Sequence, residues 1–149
     1  MNLVDSSTCT EKVEELNEKD EQLLDFYSTQ LEVAAPRLSE AITAFITSIH
    51  QNDPPQEFNS HLRYVILLAH KLVFAGDTIH RNIDSLKIKL AVETLSNELN
   101  DNIKMLHLSS KVATKEFPQV GPMQRMVDNI WNLTKSATSL KKAICNATG

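Results

Sequence analysis

The chain has little of what breaks regular structure. In 149 residues there are 3 glycines and 5 prolines, so few loops and long regular elements are expected. Aromatic residues make up 5%, which suits helices better than a β-sandwich. There is no block of lysine and arginine, and the net charge is −4; nucleic acid is not an expected partner. No run of about 18 apolar residues occurs, which excludes a membrane-spanning helix and direct membrane insertion. Met1 to Thr10 carries neither a cationic start nor an apolar stretch, so no secretory leader is expected. Two cysteines, Cys9 and Cys145, do not make a disulfide framework and are expected as reduced thiols of a cytosolic protein. A bridge between the two ends is the alternative.

Catalytic and metal chemistry is missing as well. No histidine stands three residues after any glutamate, so the Glu-x-x-His motif of di-iron bundles is absent. The five histidines, His50, His61, His70, His80 and His107, form no i,i+4 pair of the kind that binds zinc. There is no glycine-rich phosphate loop and no nucleophile elbow. Ser109-Ser110 and Thr8-Cys9-Thr10 have no base beside them in sequence. No enzyme activity, cofactor or small-molecule substrate is expected. Asn132-Leu133-Thr134 and Asn146-Ala147-Thr148 match the glycosylation sequon, which without a leader reads as chance.

What is present is helical periodicity. Hydrophobic residues are 42% of the chain, enough for one domain with a proper core. Residues 1–17 are polar and charged and are expected as a flexible lead-in, which also fits a domain cut from a longer polypeptide; the bundle is expected over 18–149. A first helix over Glu18–His50 carries Leu24, Tyr27, Leu31, Ala34, Leu38, Ala41 and Phe45 at alternating three- and four-residue steps. Tyr27 is expected to be buried and bonded at its hydroxyl. Pro36 lies inside this helix, and a kink near Glu32–Pro36 is expected. The second helix is expected to start with Asp53 as cap and Pro54 in its first turn, and to run to about Arg81. The third spans Leu86–Phe117 with Asp84 as cap and Ile88, Val92, Leu95, Leu99, Ile103, Leu106, Ser110, Ala113 and Phe117 as its stripe. The fourth starts at Pro122 and runs to about Asn146, with Met123, Met126, Ile130, Leu133, Ala137, Leu140 and Ile144 as its stripe and Trp131 packed at the edge of it. Short connections force antiparallel neighbours, so the expected fold is an all-α, up-down-up-down four-helix bundle.

The second helix has more apolar residues than one face can hold. Leu62, Val65, Ala69, Leu72, Gly76 and Ile79 form its core stripe. Gly76 on that stripe costs about 1 kcal/mol against alanine, which points to a close helix–helix approach. Ile66, Leu68 and Val73 fit a wide face that meets two neighbours. Leu67 and Phe74, one heptad apart, fall opposite the stripe. Arg63, His70, Lys71, Thr78 and Arg81 surround them. Off-stripe apolar residues are often harmless single exposures; two large ones in register also fit a partner-binding site. Tyr64 lies off the core and is the better phosphorylation candidate of the two tyrosines.

His70-Lys71-Leu72-Val73-Phe74-Ala75-Gly76-Asp77-Thr78 resembles a signature in the C-terminal domain of the Cas family of adhesion scaffolds. The likeness extends through Ser60-His61, Val65-Ile66-Leu67 and Ala69, Leu23-Leu24 with Phe26-Tyr27, Pro54-Pro55, Phe117-Pro118, and the Gln124, Met126, Val127 spacing. It implies a focal-adhesion-targeting-like bundle. It also implies docking onto the exchange-factor-like C-terminal domain of NSP-family adaptors, support of small-GTPase signalling, and localisation in the cytoplasm at focal adhesions, with other focal-adhesion proteins as further partners. Leu67 and Phe74 carry over as docking residues. The chain departs from the usual pattern at Leu62, Arg63, Tyr64, Leu68 and Ala75, where Leu68 replaces a small residue and Ala75 a bulkier one. Two other readings stand beside it: a groove between helices that binds LD-type amphipathic peptides, and a secreted four-helix cytokine, against which the short connections speak.

Overall fold

The computed structural model describes residues 16–147; the expected lead-in, with Cys9, lies outside these residues apart from Leu16 and Asn17. Four helices follow one another: α1 Glu18–His50, α2 Pro55–Asn82, α3 Leu86–Lys115 and α4 Val120–Cys145. Each packs against its neighbours in sequence, and α4 closes back onto α1. Across the centre α2 meets α4, while α1 and α3 do not meet. This is the up-down-up-down bundle that short connections dictate.

The stripes read from the sequence form the core. Leu24, Leu31, Phe45, Val65, Leu72, Ile79, Leu99, Leu106, Met126, Ile130, Leu133 and Leu140 are buried. α1 continues through Pro36 as one helix. A Cβ on Gly76 would collide with Ser96 Oγ and lie 3.2 Å from Ser96 Cβ. The glycine therefore lets α2 and α3 approach closely at this level, over a serine that is itself fully buried.

The helix ends differ from expectation for local reasons. Asp53 does not cap α2; the N-cap is Pro54, without a side-chain bond. α1 ends in a Schellman turn: Asn52 takes the left-handed conformation at φ 58°. Its N–H donates to Ile49 O, and that of Asp53 to Ser48 O, which satisfies carbonyls the helix leaves open. Asp53 is thereby turned back onto α1 and accepts from Ser48 Oγ at 2.8 Å. Asp84 does not cap α3 either. Ser85 does, accepting from Ile88 N. α3 stops at Lys115, and Phe117 turns inward to meet Phe58, with ring centroids 6.2 Å apart. α4 starts at Val120 rather than Pro122, because a proline in the first turn lacks only an N–H that would have no helical partner anyway.

The α2–α3 connection is tied to the start of α1. Asn17 caps α1 by accepting from Asp20 N at 2.8 Å. Asp20, 1% exposed, sends its carboxylate across to the N–H groups of Asp84 and Ser85, each at 2.9 Å. Asp84 in turn accepts from Asn17 Nδ2 and Lys19 Nζ, both at 3.0 Å. The Lys19 and Asn17 donors hold the Asp84 carboxyl below the usual carboxylate range. On the other side of the bundle, α3 and α4 are joined by two mirrored polar pairs. Asn102 donates to Ser136 Oγ and Asn132 O, and Asn129 donates to Ser109 Oγ and Met105 O. In both pairs the accepting carbonyl lies four residues before the accepting serine. A one-residue slip of α3 against α4 would break both pairs, so they fix the register of this seam.

Candidate functional site

The stretch Asn59 to Gly76 of α2 contains no aspartate or glutamate, in a chain whose net charge is −4. Its core stripe is closed: Leu62, Val65, Leu68, Ala69 and Leu72 are 3% exposed or less. Leu67 is 56% exposed and Phe74 67%. They form the crest of α2, pointing away from the core. Two large apolar side chains left in water at a seven-residue interval is costly for a surface without a partner.

The seven residues expected at the site do not all sit on this crest. Arg63 and His70 are exposed and fall on the α3 side, where they line the α2–α3 seam. Lys71 falls on the α1 side and lines the α1–α2 seam. Thr78 is partly buried, and its hydroxyl donates to Phe74 O at 2.8 Å, within the helix. Arg81 is exposed seven residues beyond Phe74, near the end of α2. The crest is therefore apolar, with cations descending on both flanks.

The α2–α3 seam adds residues that the sequence reading did not include. One depression of about 530 Å³ is lined by Ile66 and His70 from α2 and by Ile103, Lys104, His107 and Leu108 from α3. A second, of about 420 Å³, shares Ile66 and His107 and reaches Arg63, Lys111 and Lys115. Among the described residues no carboxylate lines either one. Leu108 is 56% exposed, and Met105 and Val112 stand on the same outer side of α3. The spacing 105, 108, 112, with Lys104 and Lys111 each just before an apolar position, was the available signal; it was masked by the stronger core stripe of the same helix.

One aromatic expectation changes: Tyr27 is half-buried rather than enclosed, and its ring meets Phe26 edge-on at 5.0 Å. Trp131, expected at the edge of its stripe, is 49% exposed and lines a depression on the α1–α4 seam with Ile42 and Ile46, at the edge of the core. Cys145 sits under α1 with its Sγ 3.9 Å from Ser28 O; burial, and then the neighbouring Glu32, pushes its thiol up. Among the described residues no group of three or more His, Cys, Asp or Glu could hold a metal ion. No helix among them is long and apolar enough to cross a membrane.

A closed helical core with an apolar, cation-flanked crest defines a protein-interaction module. The chain belongs to the Crk-associated substrate family: the profile of the Crk-Associated Substrate C-terminal domain matches residues 2–144. It is 36% identical over 129 residues to breast cancer anti-estrogen resistance protein 1 of Mus musculus, covering 87% of this chain and 15% of that protein. It is 35% identical over 126 residues to enhancer of filamentation 1 of Homo sapiens, covering 85% and 15%. It is 32% identical over 118 residues to embryonal Fyn-associated substrate of Homo sapiens, covering 79% and 21%. The chain thus spans about a seventh to a fifth of the length of these relatives. It is a C-terminal domain of this scaffold family.

Proposed function

We propose that residues 18–149 form a docking unit that binds the exchange-factor-like C-terminal domain of NSP-family adaptors, with residues 1–17 as a lead-in to it. In this role it couples an adhesion scaffold to small-GTPase signalling in the cytoplasm, at focal adhesions. The observation that carries the reading is the exposed Leu67–Phe74 crest in an acid-free stretch of α2. The two side chains insert into an apolar groove of the partner, and Arg63, His70, Lys71, Thr78 and Arg81 form the polar rim. A buried anchor of this kind contributes about 2 kcal/mol or more. Calorimetric titration of the adaptor domain into wild type and Leu67→Glu tests the reading. Loss of binding with an unchanged helical circular-dichroism signal is expected. Unchanged affinity would reject it, and so would an unfolded variant, since Leu67 would then be a core residue.

A second reading has its own observation. The two adjoining depressions on the α2–α3 seam combine Ile66, Ile103 and Leu108 with cations and no carboxylate. Such a groove suits an amphipathic helix with leucines on one face and aspartates beside them, the LD type of peptide. A titration of such a peptide followed by amide chemical shifts separates the two: shifts confined to the inner flanks of α2 and α3 support the groove, and shifts on the Leu67–Phe74 crest do not.

A further inference from the structure

The other flank of α2 carries a feature that adaptor docking on the crest alone leaves without a role. At the α1–α2 seam the surface dips into a depression of about 350 Å³. Small residues make it: Ala75 of α2 is 3% exposed, and Ala34 of α1 is packed against the core. Leu68 lies at its base, and Val33, Arg37 and Lys71 stand around it. Val33 is 56% exposed, and Phe26, seven residues earlier, is 57% exposed. α1 therefore repeats, beside the depression, the interval that Leu67 and Phe74 keep on α2.

The depression adjoins the crest. Lys71 comes four residues after Leu67 and three before Phe74, so it is the surface neighbour of both, and it lines the depression. Among the described residues no carboxylate lines it. Among the described residues neither Arg37 nor Lys71 is held in an ion pair. An apolar hollow with small walls, an exposed valine and two unengaged cations is complementary to an apolar side chain flanked by carboxylates.

We propose that this hollow is a specificity socket of the docking face. It takes one apolar side chain from the same partner domain that covers Leu67 and Phe74, while Arg37 pairs with a carboxylate beside that side chain. The inference rests on the adaptor-docking reading. It assigns α1 a direct part in partner choice, with Ala75 setting the depth of the socket: a branched side chain there fills it.

The test is calorimetric titration of a purified exchange-factor-like adaptor domain into wild type, Arg37→Glu, Ala75→Ile and Leu67→Glu. Arg37→Glu and Ala75→Ile are each expected to weaken binding about tenfold or more, with the melting temperature of Arg37→Glu unchanged. If Ala75→Ile does not fold, Val33→Asp on the exposed rim takes its place with the same expectation. Affinity within about twofold of wild type in either variant, while Leu67→Glu abolishes binding, overturns the socket and leaves the crest standing. Failure of wild type to bind overturns both.

Discussion

The two faces of α2 are built from the same residue types and do different things. On one face Leu62, Leu68 and Leu72 are closed off by α1, α3 and α4; on the other Leu67 and Phe74 are more than half exposed. Composition does not separate them. Their angle about the helix axis does, since residues seven apart share a face and residues half a turn out of phase do not. A leucine on the inner face adds to folding by leaving water; one on the outer face can do so only when a partner arrives. The lesson extends to the seams. α3 and α4 are sewn together by the Asn102–Ser136 and Asn129–Ser109 pairs, whereas both seams beside α2 carry hollows lined by cations, with an Asn59–Thr114 hydrogen bond at one end of the α2–α3 seam.

This contrast can be broken by substitution. The largest effect is expected inside. Leu72→Ala, at 1% exposure, should lower the unfolding free energy by about 2–5 kcal/mol in urea titration. Next comes the buried carboxylate. Asp20→Ala strands the Asp84 and Ser85 N–H groups and should cost about 1–3 kcal/mol. Phe74→Ala, on the crest, should change stability by less than about 0.5 kcal/mol in the same titration; a loss comparable to that of Leu72→Ala would erase the distinction between the faces.

The smallest effect concerns the exposed carboxylate at the same corner as Asp20. The folded state holds the Asp84 carboxyl below its usual range, so its contribution is present above the ordinary carboxylate pKa and is lost as the pH falls through the depressed value. Asp84→Asn should remove that part of the acid sensitivity: the variant should melt slightly below wild type near neutrality, and the two melting curves should converge as the pH falls through the depressed value.

Much of this was legible from the sequence, because the signals were periodic. The core stripes of all four helices and the outward position of Leu67 and Phe74 follow from 100° steps alone. The helix ends were less legible. Asp53 and Asp84 are both good capping residues, and each was drawn to a tertiary or turn partner that no local pattern announces: Ser48 for one, Lys19 and Asn17 for the other. Asp20 illustrates the same limit, since a carboxylate in a first helical turn reads as a solvated dipole partner and here bridges 64 residues of sequence to meet the α2–α3 connection. The hollows beside α2 depend on which residues of α1 and α3 lie opposite it. Register of that kind is a property of packed helices, not of one helix read alone.

The central claim is that the crest of α2 binds a partner and does not hold the fold together. Phe74→Arg tests it most directly, with affinity for the adaptor domain and melting temperature measured on the same preparation. The account predicts that binding is lost and that the melting temperature stays within about 2–4 °C of wild type. Retained binding, or a collapse of the melting temperature, would contradict it.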